Sequence, residues 1–224
     1  MLQTLYNIIA QDQWYVFAIG LLGNILFSSR LLIQWLLSEK SGKSESPLIF
    51  WQISLLASVT FLIYGIFRKD LAIVLGQLMV YFIYIRNIQL HQSWKKIPKI
   101  LRIITLIAPF IIISYISWFN NTLFQSIISN DQIPMILLIW GSIGQIIFVF
   151  RFFYQWIISE EEGKSILPLG FWIISLIGSM IIISYAIFRK DINLLLGQLA
   201  GAFVYSRNII IHVRGKGLFQ VKTK

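Results

Sequence analysis

The sequence contains no cysteine, few charged side chains and very few acidic ones. The lack of cysteine excludes disulfide bonds, thiolate nucleophiles and cysteine-based metal sites together. Charged residues make up 12% of the 224 positions, and Asp and Glu together number 9. A soluble domain normally carries about 25% charged residues. This composition therefore argues against a soluble globular domain.

Apolar residues are abundant instead: they form 57% of the chain, and the mean hydropathy is +0.76. Several windows of roughly 17 to 20 apolar residues are long enough to cross a hydrocarbon core about 30 Å thick. The net charge of +10 would suggest a nucleic-acid partner in a soluble protein. Here the basic residues lie at the ends of the apolar windows, where the positive-inside rule accounts for most of them. We expect a polytopic helical membrane protein that binds no nucleic acid.

An internal duplication dominates the chain. The string Arg30-x3-Gln34-Trp35-x2-Ser38-Glu39 returns 121 positions later, beginning at Arg151, and the register holds without a gap from Gly20/Gly141 to His91/His212. Chance similarity between apolar segments repeats Leu and Ile, not polar residues in register. The other repeated elements are Gly42-Lys43-Ser44, Pro47, Phe50-Trp51, Tyr64, Phe67-Arg68-Lys69-Asp70, Gly76-Gln77, Tyr84 and Arg86-Asn87.

The apolar windows predict seven transmembrane helices, over about 14–37, 47–67, 71–90, 103–119, 133–158, 167–188 and 192–212. The fourth has no counterpart in either repeat, so it joins two three-helix units that share one orientation, as in transporters built from parallel repeats. The predicted organisation is an N-terminal segment 1–13, repeat 1 over 14–92, a linker helix and loop over 93–131, repeat 2 over 132–213 and a basic tail over 214–224.

The distribution of basic residues predicts the orientation. Lys and Arg are concentrated after the third span and in the tail, whereas the loop after the fourth span has none. The positive-inside rule then places the N-terminus outside (periplasmic) and the C-terminus in the cytoplasm. Arg68-Lys69 and Arg189-Lys190 would face outward against the rule, each beside an Asp.

Arg30 and Arg151 are the most informative positions, because each lies about two turns inside its span. An ionised residue in a span costs at least about 2.5 kcal/mol, which favours a position facing the bundle or water. The alternative is snorkelling to the cytoplasmic interface, but helical side chains lean toward the helix N-terminus, here the outer end. Gln34 and Gln155 lie one turn further on, on the same face.

A second duplicated pair, Arg86-Asn87 and Arg207-Asn208, ends the third and seventh spans. Each Arg is either a cytoplasmic anchor or, with Arg30 and Arg151, part of a basic pocket. Guanidinium groups match phosphate or carboxylate oxygens two at a time, so four converging Arg would favour an anionic head group. Trp35 and Trp156 belong either to an aromatic belt or to a sugar-stacking site. Further candidate cavity-lining residues are Tyr64, Gln77, Tyr185 and Gln198.

The sequence offers little support for catalysis. Its two histidines, His91 and His212, occupy equivalent positions near helix ends without a Ser or Asp in a catalytic spacing. It has no HExxH motif, no Gly-rich phosphate loop and no clustered carboxylates for a metal. Asp70 and Asp191 open the third helix of each unit, where capping is the ordinary role of a carboxylate. We expect no enzymatic activity, no cofactor and no metal.

The combination of Arg-x3-Gln-Trp-x2-Ser-Glu, Ser-x2-Pro-x2-Phe-Trp, Arg-x-Asp, Gly-Gln and Tyr-x-Arg-Asn resembles the lipid-A-biosynthesis N-terminal domain (LAB_N) family. Both repeats match over most of 14–91 and 135–212, with small departures at Asn24/Gln145 and Lys40/Glu161. That family is similar in helix count to the SWEET, PQ-loop and KDEL-receptor group. The resemblance implies a bacterial inner-membrane protein that works with lipid-linked sugars, in the company of a polyprenyl-phosphate glycosyltransferase.

Three functions stay open at this point. The first is a flippase-like transporter of a polyprenyl-phosphate-linked sugar, in which Arg30 and Arg151, supported by Arg86 and Arg207, hold the phosphate. The second is a non-transporting partner that presents lipid to a membrane glycosyltransferase. The third is a SWEET-like carrier of small soluble sugars, which are neutral and do not require four Arg.

Overall fold

The computed structural model describes residues 14–67, 71–119, 135–189 and 192–215. Within these residues the chain forms seven α-helices and a 3-10 turn, Trp94–Lys96. The helices are α1 (Trp14–Ser41), α2 (Leu48–Phe67), α3 (Leu71–Leu90), α4 (Lys99–Phe119), α5 (Met135–Glu161), α6 (Leu169–Arg189) and α7 (Ile192–Arg214). They coincide with the seven predicted spans to within a few residues at each end.

Five of these helices are long and apolar enough to cross a membrane: α1, α2, α3, α5 and α6. The all-helical fold of the described residues is as predicted, and the five apolar helices agree with a membrane protein. Helices α4 and α7, of 21 and 23 residues, remain predicted spans. Several predictions lie outside the described residues: the segment 1–13, the capping roles of Asp70 and Asp191, the turns at 68–70 and 190–191, the loop 120–132 and tail residues 216–224.

The helices pack as a ring of six with one helix outside. In each repeat the second helix lies against both the first and the third, so that α2 contacts α1 and α3, and α6 contacts α5 and α7. The ring closes where α3 packs on α5 and α7 packs on α1. The third helix of each repeat therefore meets the first helix of the other.

Helix α4 lies outside this ring, against α2 and α3. The Tyr81 hydroxyl donates a hydrogen bond to the Thr105 carbonyl over 2.7 Å, and the rings of Phe82 and Phe110 are in contact. Its other side exposes apolar residues such as Ile100, Ile104 and Ile111, as suits a lipid-facing surface. The position of α4 agrees with its role as the connection between the repeats.

Helices α1 and α5 end at equivalent glycines. Gly42 and Gly163 have φ values of 70° and 63°, a left-handed conformation that glycine adopts without steric cost and that terminates helices. Both helices extend past their predicted ends. The predicted spans stopped at the polar residues of the last turn, but the structure buries several of these, among them Ser38 and Ser159. We call the end of the bundle where α1, α3, α5 and α7 finish the inner end, since it is the predicted cytoplasmic side.

The close approach of α1 to α2 depends on a small residue at Gly23. A Cβ atom placed there would lie 2.5 Å from the Phe61 ring, whereas one at Gly197 in α7 would meet nothing within 4 Å. We expect Gly23→Ala to lower the free energy of unfolding by about 1–3 kcal/mol relative to Gly197→Ala, because overpacking forces the Phe61 ring, or α2 with it, to shift. The helix-propensity gain is common to both variants. Unfolding midpoints in lipid nanodiscs measure the difference, and equal midpoints would contradict it.

The absence of cysteine allows the predicted orientation to be tested without a background signal. Trp14 begins α1 at the outer end, and the exposed Lys164 lies in the loop after α5 at the inner end. We expect a membrane-impermeant maleimide to label Trp14→Cys in spheroplasts and Lys164→Cys only after permeabilisation. The reverse pattern would overturn the orientation while leaving the fold intact.

Candidate functional site

Two reciprocal amide pairs join the repeats near the inner end. The Gln34 Nε2 group donates to Asn208 Oδ1 over 2.9 Å, and Asn208 Nδ2 donates back to Gln34 Oε1 over 3.1 Å. Gln155 and Asn87 repeat this arrangement at 2.8 and 3.1 Å. All four side chains are fully buried. Each pair connects the first helix of one repeat with the third helix of the other, so every amide finds its partner across the ring.

Two ion pairs lie beyond the amides, again between repeats. The Arg207 guanidinium donates to both carboxylate oxygens of Glu39, over 2.8 and 3.0 Å, and Arg86 binds Glu160 in the same bidentate way. The indole Nε1 group of Trp35 donates to Glu39, and that of Trp156 donates to Glu160, in each case four residues further along the same helix. We call these eight polar residues the inner polar cluster: Gln34, Glu39, Arg86, Asn87, Gln155, Glu160, Arg207 and Asn208.

The two ion pairs differ in exposure despite their sequence equivalence. The Glu39 side chain is 0% exposed and that of Arg207 18%, whereas Glu160 and Arg86 are 33% and 44% exposed. The sequence predicted that Arg86 and Arg207 could join Arg30 and Arg151 in one basic pocket. The structure does not bring these four together, because Arg86 and Arg207 are held by carboxylates of the opposite repeat.

The loops after α1 and α5 are hydrogen-bonded to each other at the inner end. Ser44 donates its hydroxyl proton to the Leu167 carbonyl and accepts a hydrogen bond from the indole of Trp172. The hydroxyls of Ser46 and Ser165 are hydrogen-bonded to each other over 2.9 Å. In this conformation the centre of the ring is therefore closed at its inner end by both loops and the inner polar cluster.

Arg30 and Arg151 lie one helical turn deeper, at the centre of the ring. They are 4% and 3% exposed, and their guanidinium groups are surrounded by aromatic rings. The Arg30 guanidinium carbon lies 4.4 Å from the Phe27 ring centroid and 5.0 Å from that of Phe50, and the Arg151 carbon lies 3.5 Å from the Phe148 centroid. These cation–π contacts offset part of the cost of removing the charges from water.

The hydrogen bonds of this arginine pair are incomplete. Arg30 donates through Nη1 to Ser54 and Tyr84, and Arg151 through Nη1 to Tyr205. The Nε atom of each is buried without a hydrogen-bond partner. No carboxylate in the described ranges forms an ion pair with either Arg. Within the described part of the chain, two cations are thus held inside the bundle with neither a carboxylate in contact nor a full set of hydrogen-bond acceptors.

The remaining sequence-predicted residues lie elsewhere. Tyr64 and Tyr185 pack against Gly20 and Gly141 toward the outer end. The Gln198 side-chain oxygen accepts a hydrogen bond from Ser179, and that of Gln77 is buried without a partner.

Sequence reasoning missed other residues at the arginine pair. Tyr84 and Tyr205 were detectable, because both repeats carry them two residues before the Arg-Asn pair. Phe50 and Ser54 were detectable in the same way, since they recur as Phe171 and Ser175, whereas Phe152, which corresponds to Leu31, carried no such signal. Among the described residues no group of three or more His, Asp or Glu side chains is placed to hold a metal.

The comparisons with known proteins agree with the duplication. The model of the Lipid A Biosynthesis N-terminal domain matches residues 19–89 and 140–210, once on each repeat. A protein of Chlamydia muridarum (strain MoPn / Nigg) named lipid-A-disaccharide synthase is 30% identical over 213 residues, which are 89% of this chain and 34% of that protein. The protein of the same name from Chlamydia felis (strain Fe/C-56) is 30% identical over 185 residues, 79% of this chain and 30% of the relative.

The chain therefore spans about a third of the length of the curated relatives it matches. No solved structure matches it, so the predicted likeness to the SWEET and KDEL-receptor architecture stays a prediction.

The unequal exposure of the two ion pairs yields a prediction with an internal control. Removing one partner of a buried pair costs about 3–5 kcal/mol, whereas an exposed pair contributes about 0.2–1 kcal/mol. We therefore expect Glu39→Gln to lower the free energy of unfolding by about 3 kcal/mol and Glu160→Gln by less than about 1 kcal/mol. Double-mutant cycles with Arg207→Gln and Arg86→Gln isolate each pair. Equal coupling energies in the two cycles would contradict the structure.

Proposed function

Because the chain belongs to the family of the Lipid A Biosynthesis N-terminal domain, we propose that it is a flippase-like transporter. It moves a polyprenyl-phosphate-linked sugar, or a similar anionic glycolipid of envelope glycan modification, between the leaflets of the bacterial inner membrane. Its substrate is a membrane lipid, and a polyprenyl-phosphate glycosyltransferase is the proposed partner.

The arginine pair is the observation that supports this proposal. Ionisable residues within a membrane protein face the bundle interior, normally have a partner and often mark a substrate pathway. Arg30 and Arg151 have free donors and no carboxylate in contact among the described residues. A phosphate group supplies both missing elements, because its oxygens accept several charge-assisted hydrogen bonds from guanidinium groups. The apolar exterior of the ring suits a lipid tail.

The inner polar cluster has a separate role in this proposal. Arg86 and Arg207 do not hold the phosphate but keep the inner end closed through Glu160 and Glu39. Substrate from the cytoplasmic leaflet then reaches the arginine pair only when the ion pairs and the amide pairs separate. Such exchange between two packings is the basis of alternating access in transporters with repeated halves.

A second candidate is favoured by the lengths of the relatives. Proteins named lipid-A-disaccharide synthase contain a segment similar to this chain within a sequence about three times as long. A segment of this type joined to an enzyme suggests a non-transporting module that binds lipid and presents it to a glycosyltransferase. The same arginine pair would then hold the lipid phosphate without moving it. A carrier of small neutral sugars is less favoured, because such a ligand leaves both charges unpaired.

A flip assay in reconstituted vesicles separates these functions. We expect wild-type protein to move a fluorescent polyprenyl-linked sugar, joined through phosphate in one preparation and through pyrophosphate in another, from the inner leaflet to the outer one, where an external quencher reaches it. Arg30→Gln/Arg151→Gln should slow this at least about tenfold, because each lost charge-assisted hydrogen bond is worth about 1.5–3 kcal/mol. Lys43→Gln/Lys164→Gln is the matched control, since it also removes two positive charges at equivalent positions, both exposed.

The outcomes point in different directions. Equal rates for wild type and the arginine variant would refute the assignment of Arg30 and Arg151. Absence of flipping by wild type, together with a stable complex with a membrane glycosyltransferase, would replace the transporter by the lipid-presenting module.

A further inference from the structure

The charge of the arginine pair restricts the kind of phosphate it can take. An arginine side chain cannot lose its proton in a protein, so the site carries two full positive charges. Five carboxylates lie in the described ranges, all of them near the ends of α1 and α5, and Glu39 and Glu160 are already bound by Arg207 and Arg86. Among the described residues no carboxylate neutralises the arginine pair, so a bound ligand has to supply the negative charge.

The number of free N–H donors in the arginine pair also favours a phosphate group with many acceptor oxygens. A guanidinium group has five N–H donors. Arg30 uses two of them, toward Ser54 and Tyr84, and Arg151 uses one, toward Tyr205. Seven donors remain across the pair, including both buried Nε–H groups. The two non-bridging oxygens of a phosphodiester offer fewer acceptor positions than the three terminal oxygens of a phosphomonoester or the oxygens of a pyrophosphate.

The spacing of the two groups fits one ligand. Both guanidinium carbons lie beside the same ring, that of Phe152, at 5.5 Å for Arg30 and 4.8 Å for Arg151. They are consequently no more than about 10 Å apart, a distance that a phosphate or pyrophosphate with bidentate guanidinium contacts can span. At this separation in a low-dielectric interior the two cations repel each other strongly, and a single negative charge leaves one of them uncompensated.

We infer that the arginine pair binds a phosphate group with two negative charges, either a phosphomonoester or a pyrophosphate, in preference to a singly charged phosphodiester. The inference rests on the proposed function and narrows its substrate class. It favours a polyprenyl monophosphate, a pyrophosphate-linked sugar or a glycolipid with a terminal phosphate over a sugar joined to lipid through one phosphodiester. Each Arg neutralises one of the two charges.

A matched pair of lipids tests this inference. Dioleoyl phosphatidic acid is a phosphomonoester with a charge of about −1.5 to −2 at pH 7, and dioleoyl phosphatidylmethanol is a diester that differs by one methyl group and carries one charge. Native mass spectrometry of the whole chain, titrated with each lipid, gives the ratio of affinities. Because the ratio is taken on a single protein sample, a change in the folded fraction cancels.

We expect wild-type protein to bind phosphatidic acid at least about tenfold more tightly than phosphatidylmethanol. Arg30→Gln or Arg151→Gln should bring the ratio close to one, since a single charge remains. Arg30→Lys/Arg151→Lys should retain the preference at lower affinity, because it keeps both charges but loses the guanidinium forks. Displacement of phosphatidic acid by inorganic pyrophosphate would assign the same chemistry to a soluble ligand, and resistance to it would assign a lipid.

The results also separate this inference from the proposed function. A wild-type ratio of one, with both lipids lost in Arg30→Gln/Arg151→Gln, overturns the requirement for two charges but leaves an anionic lipid site. Unchanged binding of both lipids in that double variant overturns the inference and removes the support for the proposed function as well.

Discussion

The whole bundle depends on the need to satisfy polar groups that are buried within a membrane. Gln34 and Gln155 are fully enclosed, and no water from the lipid side can replace a missing partner. Their partners are Asn208 and Asn87, on the third helix of the opposite repeat. Within its own repeat the Gln34 amide nitrogen also donates to Ser38 and to the Glu45 carbonyl, but the Gln34 side-chain oxygen accepts its hydrogen bond from Asn208 of the other repeat. Closing the ring therefore supplies hydrogen bonds that neither repeat makes within itself. This explains why the motif recurs as a set, since each half supplies what the other lacks.

The same principle distinguishes the two arginine sets. Arg207 and Arg86 have the same charge as Arg30 and Arg151, but each has a carboxylate in bidentate contact. Arg30 and Arg151 have only hydroxyl acceptors and aromatic rings. Hydroxyls and ring faces reduce the cost of a buried cation without neutralising it. The carboxylates thus account for the first set within the described residues, and the proposed anionic ligand would complete the second.

The sequence predicted much of this architecture because its strongest signals are local. Apolar length defines the spans, Pro47 precedes α2, and the register of the duplication relates every residue of one repeat to its equivalent. Whether a residue contacts its own repeat or the opposite one cannot be deduced from the local sequence. The glutamates at Glu39 and Glu160 lay near several basic residues in sequence, yet they pair with Arg207 and Arg86 of the opposite repeats. Periodicity identifies equivalent residues, but only the packing of α1 on α7 and of α3 on α5 identifies partners.

The two repeats differ at a position beside the arginine pair. Phe152 lies beside both arginines, and its equivalent in repeat 1 is Leu31. One large ring thus contacts both arginines, whereas the equivalent position of repeat 1 has a smaller, half-buried side chain.

A second departure from the duplication makes the two contacts that close the ring, α3 with α5 and α1 with α7, different from each other. Gly76 is buried, with Gln145 and Val149 of α5 within 4 Å of a Cβ placed there, whereas its equivalent Gly197 is exposed and faces nothing at that distance. The residues of α1 that correspond to Gln145 and Val149 are the smaller Asn24 and Ser28, both exposed. The contact between α1 and α7 is thus the less filled of the two toward the outer end. Fusion of two units into one chain permits this difference, since identical subunits would have to pack identically on both sides.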